Sequence, residues 1–334
     1  ININNKLTKE KNMNIKKIGL TALAGSLVAT SAFAGALSVS GSAKLSYTSK
    51  SGNEDATVTG SGFGMQENIS FTGSGELDNG MNISLLHVMH SDAAGSSTSS
   101  ITMDMGASGT LRFMEYTSNI GIKAIDDVMP TAEEEVSNGV SGGTAYEAHM
   151  GATGFDYTYS MDMGKVVVGY SPGNTSARVD DGGTSGAGAN EDSGKSIHVV
   201  LDSLADGVTL YAGTGQNGSD DNDTAAIKYA IGAATVGYQW TEIDREAANS
   251  GATADSERTQ ASISYQINDD LAVSYGFIDT EVTGQALDEE ISGFSVGYSM
   301  GGMSIKAHSN SMENKGGAAD AEYEHTEISV SFAF

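Results

Sequence analysis

The chain has 334 residues, with 43 acidic side chains against 17 basic ones, and no cysteine. That balance speaks against nucleic acid as a partner, because phosphate binding needs a basic surface. The missing cysteine removes a disulfide framework, and no later stretch is apolar over the about 20 residues that a membrane-crossing helix needs. A secreted all-β domain and a membrane barrel built of strands remain.

The amino-terminal segment reads as a leader. Met13, Lys16 and Lys17 form a basic start, 18–30 is an apolar run of small residues, and Ala32, Phe33 and Ala34 give an A-x-A cleavage pattern. Residues 1–12 read as an upstream extension and 13–34 as the signal peptide. The folded domain is then 35–334, with 12 basic and 42 acidic groups, a net charge of −30.

From there the dominant pattern is period two, the mark of strands with one apolar and one polar face. Leu37, Val39, Ala43, Leu45 and Tyr47 alternate with Ser38, Ser40, Ser42, Lys44 and Ser46. At the far end Ile328, Val330, Phe332 and Phe334 alternate with Glu327, Ser329, Ser331 and Ala333. The predicted strands are 36–48, 64–76, 81–90, 100–105, 110–116, 154–161, 165–170 and 195–203, then 208–213, 224–230, 234–242, 257–267, 271–278, 289–299, 303–308 and 322–334.

Seven short turns rich in Gly, Asp and Asn alternate with eight long polar connections, at 49–61, 91–100, 117–144, 171–194, 214–223, 243–256, 279–288 and 309–321. The expected fold is all-β: a sixteen-stranded antiparallel transmembrane β-barrel with short periplasmic turns and long extracellular loops. An even strand number lets the first and last strands pair and close the edge. Sixteen strands enclose water. Aromatic residues at the ends of the apolar rows suit the membrane interface: Tyr47, Phe113, Tyr170, Tyr211, Tyr229, Tyr238, Trp240, Tyr265, Tyr275, Phe277, Tyr298 and Phe334. A secreted or surface β-structural protein of adhesin type is the alternative.

The leader, the alternating first strand and the terminal run from Ser329 to Phe334 resemble Gram-negative general porins, of the alphaproteobacterial type. The resemblance implies an outer-membrane location, passive diffusion of small hydrophilic solutes, a homotrimer, and a third long loop folded into each pore. It also implies that Phe334 is an assembly signal read by the outer-membrane insertion machinery.

The third connection, 117–144, is the longest, and loops of that length are usually functional or disordered. It carries Asp126, Asp127, Glu133, Glu134 and Glu135, with Pro130 and the set Gly139, Gly142 and Gly143 to bend it. Strand parity turns Lys44, Arg112, Lys228 and Lys306 inward. Avoidance of lipid by charge accounts for that parity. A transverse field between these cations and the loop acids is the sharper expectation, and the overall acidity implies a preference for cations.

No catalytic pattern emerges, and no cofactor is expected. A weak Ca²⁺ site is conceivable in the loops holding Asp220, Asp221, Asn222 and Asp223, or Asp180 and Asp181, because hard oxygens suit that ion. His87 and His90, three apart on one strand, face opposite sides and make a poor zinc pair.

Overall fold

The computed structural model describes residues 35–52, 59–90, 97–115, 119–140, 147–148, 150–151, 153–172, 193–245, 254–319 and 321–334. The extension and leader expected over 1–34, and the loop with Asp180 and Asp181, lie outside the described residues.

Sixteen strands form: β1 Leu37–Gly52, β2 Gly60–Glu76, β3 Asn82–His90, β4 Ser97–Asp104, β5 Thr110–Glu115, β6 Gly154–Met161, β7 Gly164–Ser171 and β8 Gly194–Ala205, followed by β9 Val208–Asn217, β10 Asp220–Ile231, β11 Ala234–Asp244, β12 Ser256–Gln266, β13 Leu271–Val282, β14 Glu289–Met300, β15 Met303–Glu313 and β16 Tyr323–Ala333. Each pairs antiparallel with its sequence neighbours, and β1 pairs with β16, so the sheet is a closed barrel. Closure leaves no free edge, the condition for strands in hydrocarbon. Its seam extends to the last residue. Gly41 N–H donates to the Phe334 carbonyl at 2.8 Å, and Phe334 N–H donates to Gly41 at 2.9 Å. The Phe334 ring lies across the outer side of Gly41, where a Cβ would collide with it.

Alternation puts the apolar residues outside. On β13, Tyr275 and Phe277 are exposed while Ser274, Ile278 and Thr280 are buried on the inner side. One predicted interfacial aromatic differs. Tyr211 sits opposite inward Ala226 in the ladder and packs on a lumenal cluster, so it faces the lumen. Leu210 and Ala212 take the outward positions beside it.

All sixteen predicted strands are present, and their extracellular ends run on. The expected loop 214–223 is a tight connection, because β9 continues to Asn217 and β10 begins at Asp220. Asp220 and Asn222 are therefore buried inside, while Asp221 and Asp223 point out. Alternation separates these oxygens instead of gathering them round one ion. The same extension shortens the connections expected at 279–288 and 309–321.

Around the outside of the extracellular ends, acids face acids across the ladder: Asp223 with Glu242, Glu242 with Glu257, Glu257 with Glu281, Asp279 with Glu290, and Glu290 with Glu313. Like charges directly opposite repel, and salt screens them. The thermal unfolding midpoint in detergent should rise when NaCl is raised from about 10 to 300 mM, as the screening length falls several-fold. Glu257→Gln, which removes two such contacts, should reduce the salt response.

Candidate functional site

The connection from β5 to β6 lies within the barrel, and its described part binds the inner wall strand by strand. At its root, Arg112 on β5 holds Asp156 on β6 at 2.9 Å, and Asp156 accepts from Gly121 N–H at 2.8 Å. Ile122 N–H donates to Ser196 Oγ on β8 at 2.9 Å. Gln239 on β11, fully buried, donates to the carbonyls of Ile125 and Asp126 and accepts from Val128 N–H. Ser262 on β12 donates to the Pro130 carbonyl at 2.9 Å, and Ala132 N–H donates to Ser274 on β13 at 3.0 Å. Asn310 on β15 donates to the Asn138 carbonyl at 2.9 Å.

Two apolar patches add to this. Ile120, Ile122 and Ile125 pack with Met114, Val200, Ala148 and Met150, flanked by Tyr211. Val136 and Val140 pack with inward Ile278, Ile291 and Met312. Burial of these side chains contributes about 1.5–3 kcal/mol each, enough to hold a loop against a wet wall.

The wall receives the loop through glycines. Inward positions on β7, β9, β11, β13 and β14 are Gly169, Gly213, Gly237, Gly276 and Gly297. A Cβ at each would strike the loop: at Gly121, Ile125, Pro130, Val136 and the Ala132 carbonyl respectively. Composition places glycine in the turns, where it frees the backbone. These five instead form a track in which the loop rests.

The acids fall into two groups. Asp127, Glu135 and Glu147 each bring a carboxylate oxygen within 4.8 Å of the other two. Arg258, a buried inward residue of β12, contacts Glu147 at 2.9 Å, and both Arg258 and Lys228 act on Asp127. Burial, with the mutual repulsion of the acids, pushes Asp126, Glu135 and Glu147 up to about 7. Burial raises Asp127 as well. Glu133 stands apart, against β15, with Oε2 2.6 Å from His308 Nδ1. Burial opposes its charge, but the histidine and Lys306 outweigh that and hold the Glu133 carboxyl below its ordinary range.

The four nominated cations face inward with different company. Lys44 contacts Glu327 of β16 at 2.6 Å and lies within the field of Glu133 and Glu134. Lys228 lies over the Tyr211 ring, 5.1 Å from its centroid, near Asp127. Lys306 faces Glu133. Arg112 is not set against the loop acids, since its carboxylate partner is Asp156 at the root.

Sequence reasoning passed over Arg258, Glu147, His308 and His325. Parity on β12 was sufficient to turn Arg258 inward with Gln260. Nothing local announced Glu147, which reaches the acids only because the loop folds back.

Putting Cβ atoms on the track at Gly169 and Gly297 should push the loop into the lumen. The double change Gly169→Ala with Gly297→Ala should lower single-channel conductance and add closing events, at about 1–3 kcal/mol of overpacking per site. Unaltered conductance would show that the loop does not rest there.

A family model for Gram-negative porins matches residues 19–317. No curated protein matches the sequence. Among solved structures, a mutant of Rh. blastica porin is 15% identical with a TM-score of 0.62, covering 90% of this chain and 100% of its own. Another mutant of that porin is 14% identical at 0.63, with the same coverage. A refined porin structure is 15% identical at 0.63, again covering 90% of this chain and all of its own. These likenesses show the fold, and with the matched family model they set aside the adhesin-type alternative. A closed sixteen-stranded barrel, oily outside and polar within, matched by that model over most of its length, belongs to the Gram-negative porin family and is a pore-former of the outer membrane.

Proposed function

We propose that this porin passes small hydrophilic solutes through a constriction set by the β5–β6 loop, and that it prefers cations at neutral and alkaline pH. The arrangement of charge on the inner wall carries this reading. Lys44 and Arg112 are balanced by the wall acids Glu327 and Asp156. The loop acids Asp126, Asp127, Glu133, Glu134, Glu135 and Glu147 then outnumber the remaining described cations beside them, Lys123, Lys228, Arg258 and Lys306. In a narrow wet passage such an excess raises the local concentration of cations.

The sign of the pH effect follows from the raised carboxyls. Asp126, Glu135 and Glu147 are charged above about 7 and neutral below it. Acidification therefore removes negative charge while the lysines and arginine stay positive. In planar bilayers under a KCl gradient, the reversal potential should indicate cation preference at pH 8 and move toward anion preference by pH 6, a window set by those values near 7. Anion selectivity at pH 8 would refute the reading. Neutralising Glu135 and Glu147 to Gln should move the value at pH 8 toward the acid one, with Asp126 left to titrate.

We also propose a homotrimer, joined through the outer wall of β1–β5. Glu67, His87, Ser99 and Glu115 point outward there, with His87 Nδ1 2.8 Å from Ser99 Oγ. Polar groups at those positions suit a protein neighbour better than acyl chains. Phe63 and Met65 protrude beside them, 79% and 70% exposed. Phe63→Asp with Met65→Asp should give monomers in mild detergent that still conduct; retained trimers would disprove this interface. Phe334, 78% exposed at the end of the closing seam, is available to the insertion machinery as an assembly signal. The reading needs no cofactor.

A further inference from the structure

The far end of the loop rests on a short chain of ionisable side chains that the transverse-field picture does not use. Glu133 Oε2 lies 2.6 Å from His308 Nδ1 on β15, and His308 Nε2 lies 2.9 Å from His325 Nδ1 on β16. The rings are 5.0 Å apart between centroids, and both histidines are 3% exposed. The loop backbone sits directly on the second ring: Gly139 has φ +78°, and a Cβ there would overlap the His325 imidazole. The chain therefore touches the loop at two points, Glu133 and Gly139, six residues apart in sequence.

A nitrogen-to-nitrogen hydrogen bond has room for one proton. The Glu133 carboxylate accepts from His308 Nδ1–H, which leaves His308 Nε2 and His325 Nδ1 to share the other bond as donor and acceptor. One of those two nitrogens must be bare. One added proton is accommodated, since a charged ring still donates to the bare nitrogen of its neighbour; the next makes both rings donors at the shared position, and two imidazolium groups then face each other in a buried space. The groups around them sharpen the effect. Lys306 on β15 faces Glu133, and Lys50 on β1, paired with His325 in the ladder, adds positive charge. Glu327 on β16 and Glu133 itself oppose it, but Glu327 is held by Lys44.

We propose that Glu133, His308 and His325 form a proton-operated latch that fastens the constriction loop to β15 and β16 at neutral pH and lets go in acid. The released state binds one more proton than the latched state, since both rings can be charged once they separate and reach water. The latched state is thus favoured above the ordinary histidine range and loses ground as pH falls through about 6.5. Release changes the position of the loop, and so the size of the passage. It does so independently of the charge lost from Asp126, Glu135 and Glu147. Asp126 and Glu147 are held elsewhere on the wall, by Gln239 on β11 and Arg258 on β12.

The test is single-channel recording of the purified porin from about pH 7.5 to 5, across the histidine range, in the wild type, His325→Gln and Gly139→Ala. In the wild type a second conductance level should appear reversibly as the pH falls. In His325→Gln it should be absent, because the amide donates its N–H to a bare His308 Nε2 and turns its oxygen to a protonated one, so the contact holds in either charge state. In Gly139→Ala, where the added Cβ lifts the loop off the ring, the acid level should already be present at neutral pH. The shift of reversal potential with pH should persist in His325→Gln, which keeps this proposal separable from the selectivity reading above. A wild type with one level throughout, or a His325→Gln channel that keeps the acid level, would overturn the latch. Should His325→Gln fail to insert, the Gly139→Ala result decides alone: a single wild-type-like level at neutral pH defeats the proposal.

Discussion

A strand that crosses hydrocarbon must pair every backbone donor and acceptor, and the sheet has no edge to spare. Everything else in this porin follows from meeting that demand with a ring of sixteen strands. The ring gives each strand a lipid side and a water side, so composition alternates at single-residue intervals and the overall apolar share stays at 39%. The hydrogen-bonded seam between Gly41 and Phe334 is where the ring is completed, with the terminal ring of Phe334 lying over Gly41, which has no side chain to obstruct it.

A ring this wide has no dry centre, so anything inside needs its own means of attachment. The β5–β6 loop has three. Wall polar groups satisfy its backbone, two apolar clusters exclude water at its ends, and inward glycines on five strands remove the side chains that would hold it away. The glycines are informative because their cost is general. Glycine in a strand forfeits packing and backbone entropy, and the five that form the track make sense once a second layer of chain lies against them.

Burying carboxylates beside one another is unfavourable unless cations or protons relieve it. Here both occur. Arg258 and Lys228 are set against the group around Asp127, while Asp126, Glu135 and Glu147 are poised near neutrality. Glu133 takes the other course, remaining ionised through His308. One loop therefore contains acids that respond to protons by losing charge and an acid whose response passes through a histidine pair.

The sequence by itself determined the strand count, the parity of each strand and the inward direction of Lys44, Arg112, Lys228 and Lys306, because period two and turn chemistry are local properties. It also marked the long acidic connection after β5. Strand ends were less legible: at Asp220–Asp223 a polar run reads as loop, yet the closed ladder extends through it, since neighbouring strands supply the hydrogen bonds that composition alone does not reveal. Tyr211 reads as interfacial by type and is lumenal by register. Only the tertiary structure decided which acids meet. Glu147 joins Asp127 and Glu135, Arg112 turns to Asp156, and His308 meets His325 across a ladder seventeen residues apart in sequence. Those meetings depend on the path of a loop through space, which pairwise spacing along a chain does not encode.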